Sequence, residues 1–560
     1  MENILLEHLN ALYGDTVSAP LLERINKLLD DYRVRIQQRG AELSEHDSLL
    51  ITYGDQVQAP NESPLRTLKR FCDNYLTGIV GGIHILPFYP WTSDDGFSVT
   101  DYRQVDPALG TWDDVSSMRN FRLMFDGVIN HISSQSDWFQ KFQQDDPHYK
   151  NYFITVEGEP DLSQVVRPRA SPLLTPVQTP SGMKRVWTTF SDDQIDINFK
   201  NPEVLLEILD VLLLYAERGA DFIRLDAIAY LWKEIGTTCI HLPQTHRVIQ
   251  FLRAAMNAAA PQTSFITETN VPHVDNISYF GDGTNEAQLV YNFALPPLTL
   301  HTFHTGDARV LSDWARTLTL PSDKTTFFNF LASHDGVGLN PARGILSNAD
   351  IDSLVQKTLT HGGLISYKTN SDGTQSPYEM NINFFDALSN PHGDELLDLQ
   401  VSRFLAAQAV MLSLVGLPGI YFHSLFGSRN WTEGVKQTGR NRTINREKLK
   451  FDSLGHELAD KTSLRSKVFE KFSLLLKARS SCSAFHPHGT QSVLYLHSSI
   501  FALERISPDG ESRVLCLQNV SNNDVIASTD YNSGVDLFTG QLLSVSTLTL
   551  KPYQTLWINL

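Results

Sequence analysis

The stretch Gly219–Ala227 contains the first residues whose types and spacing could do chemistry. Its apolar run indicates a short buried strand, in which Arg224 and Asp226 alternate with apolar residues and project to the same side. Burying such a pair is roughly neutral for stability against an apolar replacement. The pair is therefore either a structural ion pair in a core or a carboxylate kept ionised and directed at a substrate.

Further polar side chains lie where other strand-like runs end. Each one alone is commonly a turn or a helix cap, but their joint occurrence is difficult to explain as packing. The strand-end residues are Asp94 and Phe97 after the second run, His131 after the third, Arg224 and Asp226 after the fourth, Glu268 after the fifth, and His334 and Asp335 after the seventh.

Three carboxylates at separate strand ends suit glycosyl transfer with retention of configuration. One carboxylate attacks the anomeric carbon, and a second, held protonated, donates to the leaving oxygen and later takes a proton back. A third can orient sugar hydroxyls and stabilise the oxocarbenium-like transition state. We expect Arg224 to keep the neighbouring Asp226 ionised.

The elements that must position these residues are strands alternating with helices. The clearest helical patterns cover 204–218 and 248–260, and eight buried strands in such an alternation predict an α/β fold, a (β/α)8 TIM barrel, rather than an open sheet. In that fold the chemistry lies at the C-terminal ends of the strands. The eight runs are Leu49–Tyr53, Ile83–Pro87, Leu123–Val128, Phe222–Leu225, Ser264–Thr267, Leu289–Phe293, Phe327–Leu331 and Ile420–Phe422.

The chain around the barrel predicts additional parts. We expect a helical N-terminal extension at 1–47, a catalytic barrel at 48–477 and a C-terminal all-β domain at 478–560. The proline-rich connection 132–200 is too long for a plain loop and indicates a small inserted subdomain. The segment 336–390 indicates a loop-rich insertion, whose turn-rich tip at 370–373 could cover a site.

Composition limits the classes of partner. The net charge of −17 and the pI of about 5.5 argue against nucleic acid or an anionic membrane as the main partner. Any anionic substrate then needs a local cluster of arginine or lysine. The four cysteines lie far apart, which predicts neither a zinc site nor a disulfide framework. The sequence shows neither a signal peptide nor a bilayer-spanning run, so we expect a cytoplasmic protein.

Several of these segments carry a family resemblance that covers the barrel in order. It implies that Asp226 is the nucleophile, Glu268 the general acid/base and Asp335 the transition-state stabiliser. It further implies that the donor sugar is held by three residues, His131, Arg224 and His334. The segments that resemble the four signature regions of the α-amylase superfamily of retaining enzymes are Asp126–His131, Gly219–Ala227, Ile266–Asn270 and Ser333–Gly336.

The resemblance narrows to the sucrose phosphorylase group. It implies that Asp94 and Phe97 line the donor pocket, that Arg442 reaches the glucosyl hydroxyls, and that Arg169 and Tyr378 hold phosphate. Asn130 corresponds to a calcium ligand in many amylases, but no clear set of further oxygen ligands accompanies it, so we predict neither a metal nor a cofactor. The segments similar to this group are Ile51–Asp55, His84–Phe88, Asp193–Asn198 and Phe293–Pro297.

The sequence departs from the sucrose-using members where the acceptor should bind. Their mobile loop typically reads Leu-Asp-Leu-Tyr-Gln, whereas this chain has Ser376–Glu379, and the loop Gly338–Gly344 differs as well. Over its whole length the chain is most similar to the bacterial glucosylglycerate phosphorylases, with which it shares the helical extension and Pro87–Trp91. Arg343 and Arg169 are candidates for the glycerate carboxylate, and Glu379 and Asn340 for its hydroxyls.

The expected reaction is the reversible phosphorolysis of 2-O-α-glucosylglycerate to α-glucose 1-phosphate and glycerate, through a β-glucosyl-enzyme. The α-glucoside, inorganic phosphate, α-glucose 1-phosphate and glycerate are the expected small-molecule partners, and a homodimer is left open. Alternative substrates are sucrose 6'-phosphate, glucosylglycerol and sucrose. More distant alternatives are an α-glucoside hydrolase and a non-catalytic carbohydrate-binding protein.

Overall fold

The centre of the computed structural model, which describes residues 2–37, 42–370 and 373–560, is a closed barrel of eight parallel strands. Each strand pairs with its sequence neighbour, and the last pairs with the first. The predicted TIM barrel is confirmed. The strands are β1 (Leu49–Thr52), β2 (Gly82–Ile85), β3 (Arg122–Gly127), β4 (Phe222–Leu225), β5 (Ser264–Thr267), β6 (Leu289–Tyr291), β7 (Thr326–Asn329) and β8 (Leu417–Tyr421).

The register of β3, β4 and β5 sets the level of the polar side chains. Arg224 of β4 is paired with Asp126 of β3 on one side and with Ile266 of β5 on the other. Because side chains in aligned positions of neighbouring strands lie close together, Asp126 and Arg224 meet in the upper layer of the barrel interior. The residues that follow these strands then open onto the C-terminal face.

Helices surround the barrel. The helix before β4 begins with Pro202 after an Asn201 cap, whose side chain accepts from the Glu203 N–H, and it buries the apolar stripe that the sequence predicts. The α-helices that follow the N-terminal extension are Pro64–Tyr75, Trp112–Ser116, Asp137–Gln143, Pro202–Glu217, Pro243–Ala259, His273–Asn276, Leu295–Thr305, Arg309–Ala315, Asn348–Thr360, Phe384–Leu388, Leu397–Ser413, Thr432–Thr438, Phe451–Ala459 and Leu464–Ser480.

The N-terminal extension forms two helices, α1 (Glu2–Tyr13) and α2 (Asp15–Arg33). They pack on the barrel helices Pro202–Glu217 and Pro243–Ala259, and the apolar side of α2 is buried at Leu21, Ile25 and Leu29. A polar contact fixes the same interface, because the Tyr32 hydroxyl donates to Asp210 Oδ1 at 2.9 Å. The extension therefore braces one flank of the barrel.

The connection after β3 contains several ordered elements. His131–Ser133 pairs with Gln194–Asp196, and Leu174–Thr179 forms a hairpin with Gly182–Trp187. A small apolar cluster that includes Trp187 lies beneath this hairpin. The boundaries predicted for this subdomain and for the other domains remain predictions.

The insertion 336–390 is more regular than the sequence indicates. It forms a three-stranded antiparallel sheet, the insertion sheet, in the order Val337–Gly338, Gln375–Asn381, Leu364–Thr369, together with the helix Asn348–Thr360. The prediction of a loop-rich segment is wrong here, because the two longer strands pair with each other and the end of Gln375–Asn381 is buried. Of the predicted tip, residues 371 and 372 lie outside the described residues.

The C-terminal part is all-β, as predicted. A six-stranded antiparallel sheet is accompanied by a two-stranded ribbon of Val525–Ser528 and Thr547–Leu550. None of the helices that the structure describes has the length and apolarity needed to cross a bilayer. The order of strands in the large sheet is Thr490–Leu494, Ile500–Ile506, Arg513–Asn519, Thr555–Asn559, Ser533–Asp536 and Leu542–Ser544.

Candidate active site

Most of the predicted site residues line one cavity of about 70 Å³ at the C-terminal face of the barrel. Asp226 follows β4, Glu268 follows β5 and Asp335 comes six residues after the end of β7. We call this the inner cavity. The predicted residues that line it are Asp94, Phe97, His131, Arg169, Asp226, Glu268, His334, Asp335, Tyr378 and Arg442.

Arg224 lies beneath the inner cavity and contacts three carboxylates. Its Nη1 donates to Asp226 Oδ1 at 2.8 Å and also to Asp126, while its Nη2 lies 3.9 Å from Glu268 Oε1. Asp126 is held from its other side by His84, whose Nε2 lies 2.7 Å from Asp126 Oδ2. The pair noted in the sequence is thus part of a buried network that aims Asp226 at the cavity.

The charge state of Asp226 differs in degree from the prediction. Burial raises the pKa of Asp226 to about 6, and although Arg224 opposes this effect, the nearby carboxylates Asp126 and Asp335 add to it. Arg224 therefore keeps Asp226 largely ionised at neutral pH but does not depress its pKa below the usual range. The physical reason is that the burial of Asp226 outweighs the attraction of a guanidinium that also pairs with Asp126.

Glu268 has the properties of a general acid. Burial and the neighbouring Asp226 raise the pKa of Glu268 to about 7, against the opposing effect of Arg224. Its Oε2 accepts a hydrogen bond of 3.0 Å from the backbone N–H of Ala227, the residue after Asp226. Ala227 has a left-handed φ of 50°, a strained conformation for a residue with a Cβ, and strain of this kind is typical of functional sites.

Asp335 is the carboxylate that stays ionised. Burial favours its neutral form, but Arg442, His334 and Arg446 together hold the pKa of Asp335 well below its usual range. Arg442 Nη1 forms a direct ion pair with Asp335 Oδ1. A fixed negative charge at this place is what an oxocarbenium-like transition state needs.

The donor side of the cavity is built from aromatic and imidazole rings. The Phe97 ring stacks on His334 with centroids 4.8 Å apart and planes within 4°. His131 Nε2 lies 2.9 Å from the Phe97 carbonyl oxygen. Burial lowers the pKa of both histidines, so each is neutral. The His334 ring can exchange hydrogen bonds with sugar hydroxyls, whereas both ring nitrogens of His131 already have protein partners.

A strained turn presents Asp94 to the same cavity. Asp94 and Asp95 both have left-handed φ values, of 54° and 51°, and are followed by Gly96 at 110°. Asp95 is paired with Arg446, which fixes the turn, and Asp94 points into the inner cavity. Such a turn costs free energy and supports a binding role for Asp94.

Three residues predicted for the acceptor lie elsewhere. Glu379 is buried behind Arg442, with Oε1 and Oε2 accepting from Nε at 3.0 Å and Nη2 at 2.7 Å. It holds Arg442 and is not free to bind glycerate hydroxyls, which corrects that expectation. Neither Arg343 nor Asn340 is among the described residues that line the inner cavity or the wider cavity beside it. Arg343 Nη2 instead donates to the Pro377 carbonyl at 3.4 Å.

Tyr378 reaches the inner cavity because of a β-bulge. In the insertion sheet Ser366 pairs with Glu379 but the next residue, Tyr367, pairs with Pro377, so Tyr378 is the extra residue. Burial raises the pKa of Tyr378, and its hydroxyl is a neutral donor. Tyr378 and Arg169 both line the inner cavity.

A wider cavity of about 520 Å³, the outer cavity, adjoins the inner one. Sequence reasoning did not identify several residues here as site residues, although Gln194 belongs to a segment that the resemblance had marked. Its Nε2 donates to the Phe97 carbonyl at 3.1 Å. The residues common to both cavities are Asp94, Arg169, Phe190, Gln194 and Arg442.

The position of an amylase calcium ligand is filled by a side chain. Lys233 Nζ lies 2.8 Å from Asn130 Oδ1 and 2.5 Å from Asp196 Oδ2, and all three residues are buried. An ammonium group already satisfies these oxygens, so the residues do not fit a metal ion. In the described ranges, no group of three or more His, Cys, Asp or Glu side chains is arranged to hold one.

The comparisons with known proteins agree with this geometry. The alpha-amylase catalytic domain family model matches residues 74–339. A glucosylglycerate phosphorylase of Allomeiothermus silvanus is 51% identical over 99% of this chain and 98% of that protein. A glucosylglycerate phosphorylase of Escherichia coli K12 is 44% identical over the full length of both chains.

A solved structure shares the fold. The crystal structure of sucrose 6F-phosphate phosphorylase from Thermoanaerobacter thermosaccharolyticum superposes with a TM-score of 0.76 at 23% identity, covering 91% of this chain and 99% of that one.

Proposed function

This chain belongs to the alpha-amylase family, in the group of the glucosylglycerate phosphorylases, and we propose that it catalyses the reversible phosphorolysis of 2-O-α-glucosylglycerate. Three features support the proposal: the identity over the full chain, the arrangement of Asp226, Glu268 and Asp335 around one cavity, and cationic residues beside it. The products are α-glucose 1-phosphate and glycerate.

In the first step Asp226 attacks the anomeric carbon. The bond from that carbon to the glycerate oxygen breaks, and the proton of Glu268 moves to the leaving oxygen. Asp335 stabilises the positive charge that develops on the sugar ring, because its own carboxylate remains ionised. The result is a β-glucosyl ester on Asp226 and a free glycerate.

In the second step inorganic phosphate takes the place of glycerate. A phosphate oxygen attacks the anomeric carbon, the ester bond to Asp226 breaks, and Glu268 accepts the phosphate proton. Two inversions give net retention, so the product is α-glucose 1-phosphate. Both steps are reversible because the glucosyl-enzyme conserves the energy of the glycosidic bond.

Phosphate must compete with water for the glucosyl-enzyme. Arg169 and Tyr378 lie next to each other at the inner cavity and would bind phosphate through a charge and a hydroxyl donor. The small volume of this cavity, about 70 Å³, restricts bulk water. These features favour phosphorolysis over hydrolysis of α-glucosides.

The observation that carries the proposal is the electrostatic division among the three carboxylates. Asp335 is fixed as an anion, Glu268 with a pKa of about 7 can hold a proton, and Asp226 with a pKa of about 6 is mostly ionised. Nucleophile, acid/base and stabiliser in a retaining double displacement need these three states. A non-catalytic carbohydrate-binding protein has no need of them.

A panel of acceptors with α-glucose 1-phosphate as donor tests the function. We expect phosphate release with glycerate to exceed that with glycerol, fructose and fructose 6-phosphate, and Asp226→Asn to abolish it. Preference for fructose 6-phosphate would show a sucrose 6'-phosphate phosphorylase instead. Glucose formation that does not depend on phosphate would show a hydrolase.

The proposal also covers the cellular compartment, which we take to be the cytoplasm. The four cysteines are free and buried, which supports the reducing cytoplasm as the compartment. The expected homodimer remains a prediction. Small-molecule substrates are consistent with the phosphorylase relatives.

A further inference from the structure

The outer cavity carries an arginine that the two reaction steps leave unused. Arg440 is exposed and lines this cavity. Its backbone is anchored on both sides, because its N–H donates to Thr438 Oγ1 at 3.2 Å and its carbonyl accepts from the Thr443 N–H at 3.2 Å. Gly439, with a φ of 68°, ends the preceding helix and turns the chain toward the cavity.

The neighbouring arginines are already paired. Arg442 holds two carboxylates and Arg446 holds a third, so their charges are compensated within the site. In the described part of the chain, neither Arg440 nor Arg169 forms an ion pair or a hydrogen bond through its side chain. Arg440 helps to lower the pKa of Asp95, but that carboxylate is paired directly with Arg446. Aspartates also line this cavity, but in a protein with a net charge of −17, two arginines without a direct carboxylate partner in one cavity indicate a place for an anion.

We propose that Arg440 binds the carboxylate of the acceptor and is the residue that selects glycerate over neutral acceptors. This inference rests on the function proposed above and replaces Arg343 as the candidate for that carboxylate. Arg343 is unsuitable because it contacts the Pro377 carbonyl and lies outside the lining of both cavities.

The bonding of the two anionic reactants supports a division between Arg169 and Arg440. In α-glucose 1-phosphate, the charged oxygens are on the phosphorus that is bonded to the glycosidic oxygen. In glucosylglycerate, the carboxylate is attached one carbon further from the sugar. Arg169 borders both cavities, whereas Arg440 borders only the outer one, so the more distant arginine matches the more distant charge.

The two-step mechanism explains why separate arginines for phosphate and for glycerate would be useful. Glycerate leaves before phosphate attacks, so the two anions occupy the same region at different times. A cation close to the anomeric carbon serves both of them, and a cation further out contacts only the longer acceptor. Arg440 can therefore set acceptor specificity without disturbing phosphate binding.

Steady-state kinetics of Arg440→Gln test the proposal. In the synthetic direction, loss of one charge-assisted contact should raise the KM for glycerate roughly 10- to 100-fold. The KM for phosphate in phosphorolysis and the rate with glycerol as acceptor should each change by less than about threefold, since neither contact involves this residue. Arg440→Lys, which keeps the charge but loses the planar fork, should give an intermediate KM for glycerate.

Lys436→Gln is the matched control. It removes the same unit charge from an exposed position on the helix that precedes Arg440, and should leave the KM for glycerate unchanged. If Lys436→Gln raised the KM for glycerate as much as Arg440→Gln does, the rise would come from the loss of positive charge in general. The proposed contact between Arg440 and the carboxylate would then be wrong.

Two further results would overturn the inference. One is a KM for glycerate that stays within twofold in Arg440→Gln, and the other is an equal rise of the KM values for glycerate and phosphate. Either would leave the proposed reaction intact, because the unaltered enzyme would still use glycerate. Inertness of the unaltered enzyme toward glycerate would instead refute the proposed function and this ligand with it.

Discussion

At the scale of single residues, the protonation states of the site carboxylates depend on their burial and on the arginines that contact them. Arg224 contacts Asp126 and Asp226 and lies near Glu268, while Asp335 is held by Arg442. Asp335 is ionised because Arg442 and the nearby Arg446 outweigh its burial, whereas burial outweighs the attraction of Arg224 at Asp226 and Glu268 and raises their pKa values. Burial and the position of the arginines together thus set the protonation states of the three carboxylates.

The pH dependence of kcat/KM for glucosylglycerate should be bell-shaped. Rates fall below about pH 6 because Asp226 becomes protonated, and above about pH 7 because Glu268 loses the proton that it donates. The two limbs report apparent values of the coupled pair. In a double displacement, this ratio reports only the first half-reaction, so the titration of phosphate does not enter.

α-Glucosyl fluoride provides the control for that profile. Its leaving group needs no proton, so the alkaline limb should disappear while the acid limb stays. An unchanged alkaline limb with the fluoride would mean that a group other than Glu268 is responsible for it.

At the scale of elements, the insertion sheet couples the acceptor side to the catalytic centre. Its strand Gln375–Asn381 supplies Tyr378 to the cavity and Glu379 to Arg442, and Arg442 in turn contacts Asp335. Tyr378 and Glu379 are adjacent, and the bulge lets both serve the site. The placement of this one strand therefore orients the arginine that keeps Asp335 ionised.

Glu379→Gln tests this coupling. The amide keeps the size of the side chain but removes the charge from a bidentate pair, so Arg442 should be less well oriented and kcat should fall roughly tenfold or more. The KM for phosphate should change little. The same carboxylate-to-amide change at exposed Asp352, on a helix of the same insertion, should leave kcat unaffected. A kcat within twofold of wild type for Glu379→Gln would contradict the proposed coupling.

At the scale of the whole molecule, buried arginines hold separate parts of the chain together. Arg479 donates to the carbonyl oxygens of Glu45 at 2.7 Å, Phe485 at 3.0 Å and Gly416 at 3.3 Å. These carbonyls belong to the segment before β1, the start of the C-terminal part and the loop before β8. One side chain thus joins the barrel to the segments on both sides of it.

Arg479→Met should therefore destabilise the protein by several kcal/mol, because buried carbonyl groups lose their donor and each unsatisfied group costs about 1–3 kcal/mol. The midpoint of denaturant-induced unfolding measures the loss. Lys477→Met, an exposed change on the same helix, should leave the midpoint within experimental scatter. The kcat of folded Arg479→Met should stay near wild type, since Arg479 lies outside the cavity linings.

The sequence by itself determined the barrel and predicted which carboxylates meet at its C-terminal face. Runs such as Phe222–Leu225 are apolar enough to specify buried strands, and in a parallel barrel the residues after each strand must meet at one face. Asp226, Glu268 and Asp335 could be placed on that rule and on their resemblance to known motifs. Both signals are local, because they need only a few consecutive residues.

Only the tertiary structure decided the charge of Asp226, the partner of Glu379 and the position of Arg343. A pKa depends on burial and on every charge within a few ångströms, and those charges come from strands that are far apart in the sequence. Likewise, Glu379 appeared free to bind a hydroxyl until folding brought Arg442 against both of its oxygens. Long-range contacts of this kind leave no periodic pattern in the chain, so they are settled only when the strands and the insertion sheet pack together.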